Sequence, residues 1–298
     1  MSRIHTESDL RALAQVQVPP GHLLEMFTTM ARIRAFETEV YQASEAKRIP
    51  LVYLSTGQES IPAALAVAVP GSWILAQHRG HGTYLAFGGS LPALRDELRG
   101  LPSGCCQGMG GSPAICDWSP EIAKGIIGHN GLIGDHVPVA VGVAYADRET
   151  PVVCLFGDGA AEEDYVLGAV GFAVTHQLNV VFVCEDNDLS VLTPVNARRS
   201  WNLSDVTRGF GLTAIDIVDD PCQIYYYAKE LPRPCLLNIR TCRMCWHVGA
   251  GIDGPPEWDR YALVKADLID RLGLDFQAVL DGVEQEAHRE MVDLWGSP

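Results

Sequence analysis

Residues 156–188 read FGDGAAEEDYVLGAVGFAVTHQLNVVFVCEDND. The apolar run PVVCLF at 151–156 predicts a buried strand that leads into this stretch, and GDG predicts a turn. Residues 160–176 predict a helix, and the run NVVFVCED at 179–186 predicts a second buried strand. A strand, one crossover helix and another strand form a βαβ unit. Its two strands are parallel, and their carboxyl ends meet at one edge of the sheet.

Short apolar runs without clean alternation also occur at 73–77, 212–219 and 234–241. Such runs are typical of parallel strands that are buried on both faces, and predicted helices separate several of them. The sequence therefore predicts an α/β fold with a doubly wound, mainly parallel sheet flanked by helices. The glycine-rich stretches at 79–90, 104–112 and 125–134 are predicted to be loops between these elements.

The chain of 298 residues is predicted to have three parts. Residues 1–50 form an N-terminal helical extension, because apolar residues recur at helical spacing within 21–47. Residues 51–256 form the α/β domain, and residues 257–298 form an acidic, helical C-terminal extension.

The composition excludes several classes of partner. The formal net charge is −15, and the 22 lysines and arginines are scattered, with Arg198–Arg199 as the densest pair, which argues against nucleic-acid binding. No apolar run reaches the length of a membrane span, and the first residues lack the apolar core of a signal peptide. Nine cysteines are read as reduced thiols, so we expect a cytoplasmic protein without a membrane partner.

Polar residues follow the two strands of the βαβ unit. Asp158 ends the first strand, and Asn187 follows the second. A carboxylate, an amide and a nearby carbonyl supply the oxygen ligands that Mg²⁺ prefers, and phosphate oxygens commonly complete its octahedron. Gly157 and Gly159 allow the backbone to approach a phosphate, and the helix that begins at Ala160 can donate N–H groups to it. The stretch therefore predicts a magnesium–diphosphate clamp.

The GDG motif also has simpler interpretations. GDG alone is a common turn, and only its combination with the helix, the second strand and the terminal asparagine favours the clamp. GDGAAE also fails the dinucleotide-binding fingerprint, because Glu162 stands where the third glycine belongs. The formal match GAGIDG at 249–254 opens no clear helix and is followed by two prolines.

The clamp is similar to the thiamine-diphosphate-binding motif, and the likeness continues outside it. The segments HRGHGTYLAFGGSLPALRDELRG, GMGGS, GHNGLIGDHVPVAVGVAYA and RTCRMCWH follow one another in the order of one family. From about residue 30 to about residue 255, the chain resembles the alpha subunit of the decarboxylating component of 2-oxo acid dehydrogenases of the pyruvate, branched-chain and acetoin types. The resemblance implies the thiamine-diphosphate-binding fold, with thiamine diphosphate and Mg²⁺ as cofactors.

The resemblance also implies roles for individual residues. Asp158, Asn187 and the carbonyl of Leu189 correspond to the metal ligands. The other cofactor-binding positions are His78 and Arg79 at the diphosphate, Gly131 and Ile133 at the aminopyrimidine, Gly157, Gly159 and Ala160 at the clamp, and His247 on a mobile loop.

Three residues are implied near the substrate: His247, which would move protons during acyl transfer, His81 and Tyr53. Two positions depart from pyruvate-type members, since Tyr53 and Cys245 stand where those carry histidines. The departures leave thiamine chemistry intact and put the identity of the substrate in doubt.

The family divides its active site between two chains, so the resemblance implies a beta subunit with the pyrimidine-binding domain and an α2β2 assembly. A lipoyl domain or another carrier protein would accept the acyl group from a small-molecule substrate. One alternative is a split transketolase-like enzyme that transfers a two-carbon ketol unit from a sugar phosphate. A second is a non-catalytic scaffold.

Overall fold

The two strands of the predicted βαβ unit lie side by side and parallel in the computed structural model, which describes residues 18–117 and 125–296. Residues 1–17 of the predicted N-terminal extension lie outside the described residues. The helices are α1 (Pro20–Glu45), α2 (Ser60–Ala68), α3 (His81–Ala86), α4 (Leu91–Leu98), α5 (His136–Ala146), α6 (Asp164–Thr175), α7 (Val195–Arg198), α8 (Leu203–Gly209), α9 (Pro221–Glu230), α10 (Arg260–Leu272) and α11 (Leu274–Trp295). The strands are β1 (Trp73–Gln77), β2 (Ile126–Asn130), β3 (Val152–Gly157), β4 (Val180–Asp186), β5 (Leu189–Ser190), β6 (Thr193–Pro194), β7 (Thr213–Val218) and β8 (Cys235–Arg240).

Six strands form one parallel sheet in the order β2-β1-β3-β4-β8-β7. The predicted fold class is confirmed. The chain moves from β1 outward to β2 and then returns to β3 on the other side of β1. This reversal creates a crevice at the carboxyl ends of β1 and β3, where ligands bind in open α/β sheets. Strands β5 and β6 form a separate antiparallel hairpin.

Two predictions about glycine-rich segments need correction. The stretch 125–134 contains the edge strand β2, and the stretch 79–90 contains the short helix α3. The prediction of one helix at 160–176 is wrong at its start, because residues 160–162 form a 3₁₀ turn and Glu163 is extended, with ψ of 133°. The regular helix α6 begins only at Asp164.

Alternate residues of the central strands face opposite layers of helices. Val153 and Leu155 of β3 belong to the apolar core that β3 shares with α1, α2, α4 and α9. Val152, Cys154 and Phe156 belong to the core on the other face, formed with α5, α6 and α8. Both faces of the sheet are therefore buried, which explains why these strands read as continuous apolar runs.

The two ends of the described chain pack against each other. Phe27 and Met30 of α1 join Val264 and Leu268 of α10 and Leu280 of α11 in a third apolar cluster. Helix α1 also contributes to the core that covers the sheet. The division of the chain into three parts stays a prediction. Within the described residues, none of the helices is both long and apolar enough to span a bilayer.

We predict that Phe182→Ala lowers the free energy of unfolding by about 3–5 kcal/mol, because Phe182 is fully buried in the central strand β4 and its removal leaves a cavity. Urea denaturation monitored by circular dichroism measures the change. Phe210→Ala, at an exposed phenylalanine that follows α8, is the matched control and should change the value by no more than about 0.5 kcal/mol. Equal losses in both variants would contradict the placement of Phe182.

Candidate active site

The carboxyl ends of β1, β2, β3 and β4 surround a cavity of about 260 Å³ at the point where the strand order reverses. Every residue predicted for the site lines this cavity except His81. The predicted lining residues are Tyr53, His78, Arg79, Gly131, Ile133, Gly157, Asp158, Gly159, Ala160, Asn187, Leu189 and His247. Gln77, Gly134, His136, Ser190 and Val191 line it as well and were not predicted.

Asp158 is buried, and an arginine pairs with it. The Arg198 guanidinium donates from Nη2 to the Asp158 carboxylate and from Nη1 to Glu162 Oε1 at 2.5 Å. Arg199 Nη1 donates to the Asp158 backbone carbonyl at 2.6 Å and to Glu162 Oε1 at 3.0 Å. Burial, followed by the nearby Asp186 carboxylate, raises the pKa of Asp158 to about 6, although both arginines oppose that rise. The predicted metal ligand therefore already has a cationic partner within the chain.

Asn187 lies at the turn from β4 into the β5–β6 hairpin. Its Oδ1 accepts a hydrogen bond from the Leu189 backbone N–H at 3.2 Å, and its Nδ2 donates to Gln58 Oε1 at 3.3 Å. Between them, Asp188 adopts a φ of 66°, which turns the chain sharply. The hairpin thus folds back beside the end of β3 and brings Leu189 and Ser190 to the cavity.

Gly159 is required because the hairpin lies directly against it. A Cβ atom at this position would lie 2.7 Å from Ser190 Oγ, closer than a non-bonded contact permits. At Gly157 a Cβ would lie 2.9 Å from Gln77 Oε1, the end of a flexible side chain that can move aside. Gly157 and Gly159 both line the cavity, so their backbone is within reach of a ligand there.

Arg79 is a buried cation that makes no direct ion pair with a carboxylate in the described part of the chain, although the carboxylates of Glu185 and Glu37 lie near enough to act on its charge. Its guanidinium donates from Nη1 to the Leu54 carbonyl at 2.5 Å and from Nη2 to the His247 carbonyl at 3.2 Å. Burial, followed by the positive charge of Arg243, lowers its pKa to about 10. An anionic ligand in the cavity would supply a direct counter-charge.

Three rings form the wall of the cavity near Arg79. The ring centroids of Tyr53 and His78 are 4.9 Å apart, those of His78 and His247 are 5.1 Å apart, and those of Tyr53 and His247 are 5.5 Å apart. Burial, followed by the charges of Arg79 and Arg243, lowers the pKa of His247 to about 4. His247 is therefore neutral near pH 7 and keeps one ring nitrogen that can accept a proton.

His81 does not reach the cavity. It is fully buried at the first residue of α3, with Nδ1 3.2 Å from Glu37 Oε2 and Nε2 2.8 Å from Ser112 Oγ. Ser112 Oγ also accepts a hydrogen bond from the Tyr53 backbone N–H at 2.8 Å. The prediction that His81 lies in the site is corrected: helix α3 directs His81 into the core, while His78 and Arg79 precede that helix and line the cavity. His81 is linked to the Tyr53 backbone by hydrogen bonds through Ser112.

The unpredicted His136 begins α5 and lines the cavity. Its Nε2 donates to the Leu155 carbonyl at 2.7 Å, and burial lowers the pKa of the ring. In the neutral ring the Nε2 proton leaves Nδ1 as the acceptor; this buried atom lies 3.8 Å from Asp135 Oδ1, beyond hydrogen-bond distance, and has no hydrogen-bond partner among the described residues. A ligand group that donates a hydrogen bond would satisfy it.

Comparison with known proteins places the site in context. A profile of the family described as "Dehydrogenase E1 component" matches residues 27–249. The chain is 30% identical to the alpha subunit of acetoin:2,6-dichlorophenolindophenol oxidoreductase from Bacillus subtilis, over 70% of this chain and 63% of the relative. It is 34% identical to the alpha-1 subunit of the mitochondrial pyruvate dehydrogenase E1 component of Oryza sativa, over 78% of this chain and 62% of the relative. The chain thus covers somewhat less than two thirds of the length of these relatives.

Solved structures with a similar fold include two transketolases. A mutant transketolase from Pichia stipitis aligns with a TM-score of 0.55 at 12% identity, over 91% of this chain and 47% of that protein. Transketolase from Leishmania mexicana aligns with a TM-score of 0.56 at 13% identity, over 91% of this chain and 48% of that protein. At this level of identity, the likeness concerns the fold alone.

We predict that the His247 ring titrates with a midpoint near 4, well below the ordinary value of about 6.5. The unfolded chain then binds a proton at this residue between about pH 6.5 and pH 4 while the folded chain does not, so this group lowers the free energy of unfolding as the pH falls through that window. Histidine NMR resonances measured against pH give the midpoint, and His247→Gln identifies the signal. A midpoint above 6 would contradict the half-buried, cation-flanked position of the ring.

Proposed function

Because this chain belongs to the dehydrogenase E1 component family, we propose that it is the alpha subunit of a thiamine-diphosphate-dependent 2-oxo acid dehydrogenase. The enzyme would decarboxylate a 2-oxo acid and transfer the acyl group to a lipoyl group or another carrier. The observation that carries the proposal is the convergence of Arg79, Asp158 and Asn187 on one cavity at the reversal point of the sheet.

The residues around the cavity fit thiamine diphosphate, the cofactor that the family implies. Arg79 is a buried cation without a direct ion pair to a carboxylate in the described chain, which suits a diphosphate. The buried Nδ1 of His136 can accept a hydrogen bond from a donor on the ligand. The cation at Arg79 supports an anionic group on the occupant, and the acceptor at His136 supports a hydrogen-bond donor elsewhere on it.

Magnesium is our more specific proposal for the same clamp. Asp158, the Asn187 amide oxygen and the Leu189 carbonyl would hold Mg²⁺, and the N–H groups of Gly159 and Ala160 would donate to the diphosphate. Gly131 and Ile133 would contact the aminopyrimidine from the loop after β2. For the cation to bind, Arg198 has to leave the Asp158 carboxylate. Arg198 ends the short helix α7, outside the main sheet, so its movement need not disturb β3.

We place the substrate beside Tyr53 and His247 of the three-ring wall, because His78 is assigned to the diphosphate. When bound, thiamine diphosphate supplies the reactive carbon and the electron sink that decarboxylation needs. The neutral His247 ring can accept a proton, and the Tyr53 hydroxyl can donate a hydrogen bond to a carbonyl or carboxylate oxygen. Ser112 fixes the backbone of Tyr53, which keeps this hydroxyl in place. Tyr53 therefore decides which 2-oxo acid fits, since pyruvate-type members carry a histidine there.

A beta subunit would complete the site. In the family, the glutamate that activates the cofactor comes from the partner chain, and Glu59 cannot replace it because it is buried and paired with Arg34 Nε at 2.5 Å. Exposed apolar side chains next to the lining residues, Leu132, Val191 and Trp246, are suited to contact with another chain. We propose an α2β2 enzyme with the cofactor at the interface, and a lipoyl-domain or carrier protein as the acceptor.

The split transketolase-like alternative is less well supported. The transketolase structures share only the fold, whereas the family profile and the curated relatives favour a 2-oxo acid dehydrogenase. Cys245, which keeps the alternative open in the sequence, is buried, and its backbone forms a bridge with Ile252. It does not line the cavity, so it gives no support to a different substrate.

The proposed activity can be tested with the chain copurified with its beta subunit and supplied with thiamine diphosphate and Mg²⁺. We expect one or a few 2-oxo acids from a panel to release carbon dioxide and to reduce 2,6-dichlorophenolindophenol. His247→Gln should retain cofactor affinity in calorimetry while it slows turnover, because the ring faces the substrate end of the cavity. Ketol transfer from a sugar phosphate without release of carbon dioxide would overturn the proposal.

Substitutions of Asp158 and Arg198 should change the affinity for thiamine diphosphate with Mg²⁺ in opposite directions, as measured by calorimetry of the αβ complex. Asp158→Asn should weaken binding on the order of 10- to 100-fold, because a charged ligand is lost. Arg198→Gln should strengthen it by roughly 5- to 30-fold, which corresponds to about 1–2 kcal/mol, because the intrachain ion pair no longer competes with the metal.

Arg208→Gln is the matched control for Arg198→Gln. Arg208 is a partly exposed arginine that pairs with Asp205 on the surface helix α8, so its loss changes the net charge equally and should leave the affinity unchanged. Weaker binding in Arg198→Gln would show that Arg198 itself holds the diphosphate. Undiminished binding in Asp158→Asn would remove Asp158 from the clamp.

A further inference from the structure

A group of cysteines lies outside the cavity, in the segment between α4 and β2. Cys106 and Cys116 are both half-buried, and their sulfur atoms are 3.4 Å apart. The Cys116 backbone N–H donates to Cys106 Sγ at 3.1 Å. Cys105 precedes Cys106 in the chain and is also half-buried. None of these thiols takes part in the proposed reaction.

One buried carboxylate fixes the loop that brings the two sulfurs together. Glu97 Oε2 accepts hydrogen bonds from the backbone N–H groups of Cys106 at 2.7 Å and Gly108 at 2.9 Å. Glu97 Oε1 accepts from those of Gly110 at 2.7 Å and Gly111 at 2.9 Å. Because four backbone groups converge on one side chain, the short sulfur–sulfur distance belongs to an organised loop.

A metal site is the competing interpretation of the same group. Ligand atoms of Glu97, Cys105 and Cys106 all lie within 4.8 Å of one another. Each Glu97 oxygen, however, already accepts two backbone hydrogen bonds, and a metal would have to displace part of that network. The pair Cys106 and Cys116 has no such obstacle, because the two sulfur atoms contact each other directly.

The two thiols also differ in acidity. Hydrogen bonds, first from the Cys105 thiol and then from the Cys116 backbone, lower the pKa of Cys106 to about 6. Burial, followed by contact with Cys106, raises the pKa of Cys116 to about 11. Cys106 is therefore the more acidic of the two thiols, and in stepwise oxidation to a disulfide the more acidic thiol reacts first.

We propose that Cys106 and Cys116 form a peroxide-sensitive dithiol that closes to an intramolecular disulfide. The Cys106 thiolate attacks one peroxide oxygen, the O–O bond breaks, and hydroxide leaves and takes up a proton to become water. The resulting sulfenic acid on Cys106 is attacked by the Cys116 sulfur. The S–S bond forms, the S–O bond breaks, and a second water leaves with the Cys116 proton. Two thiols are oxidised and one peroxide is reduced to two waters.

The disulfide would close a ring that contains Ser112. This residue accepts a hydrogen bond from the Tyr53 backbone N–H and contacts His81 Nε2, so the ring lies one hydrogen bond from the cavity wall. Formation of the disulfide would therefore affect the hydrogen bond between Ser112 and the Tyr53 backbone. The proposal rests on the contact between the two sulfur atoms in this loop, with the difference in acidity as support, and does not depend on the proposed catalytic activity.

The test is mass spectrometry of the full-length chain in its αβ complex, treated with equimolar hydrogen peroxide and then with an alkylating reagent. We expect the alpha chain to lose the mass of two hydrogen atoms, with a cross-linked peptide that joins Cys106 to Cys116. Dithiothreitol should reverse the change. Cys116→Ser should stop at a Cys106 sulfenic acid that dimedone traps, and Cys106→Ser should form neither product.

Cys242→Ser, at a half-buried cysteine elsewhere in the fold, is the matched control and should leave the cross-link intact. A cross-link that uses Cys105 in place of Cys106, or oxidation of Cys106 beyond the sulfenic acid without a disulfide, would overturn the proposal. So would a stoichiometric Zn²⁺ that copurifies with the chain and protects these thiols from peroxide.

Discussion

The parallel register of β3 and β4 is the constraint on which the site depends. It sets Gly157 opposite Glu185, so that the next residues, Asp158 and Asp186, and then Asn187, leave the sheet at the same edge. A shift of one residue in this pairing would direct the buried side chains of β4 to the opposite layer of helices, and both apolar cores would be lost. The packing that stabilises the fold therefore also fixes the distance between the two ends of the clamp.

The net charge of −15 describes the whole chain and not the cavity. Arg79 lines the cavity, and Arg198, more than a hundred positions later in the sequence, pairs with Asp158, which lines the same cavity. Burial, followed by the charges of Arg79 and Arg243, lowers the pKa of His247, whereas Arg198 and Arg199 oppose the rise in the pKa of Asp158. A locally cationic cavity in an acidic protein suits a small anion and does not suit a polyanion, because the surrounding surface repels the latter.

Much of the site could be predicted because it depends on strand ends, which apolar runs locate well. The run at 73–77 coincides with β1, and Arg79 follows it directly. Strand β2 was missed because glycine interrupts its apolar pattern and it lies at the edge of the sheet. The pairing of Arg198 with Asp158 was missed for a different reason. It depends on the path of the β5–β6 hairpin, which the positive φ of Asp188 initiates and no periodicity reveals. The site roles assigned by resemblance remain predictions.

The Arg198–Asp158 ion pair offsets part of the unfavourable burial of acidic groups at the strand ends. Asp158, Glu185 and Asp186 lie at the ends of two adjacent strands, and burial penalises the charged forms of Asp158 and Glu185. Without a cation these groups repel one another, and burial together with Asp186 raises the pKa of Asp158. Arg198, which the chain itself supplies, offsets the charge of that carboxylate. In the proposed function the same ion pair competes with the metal for Asp158, so the clamp would be a compromise between the stability of the fold and its affinity for the cofactor.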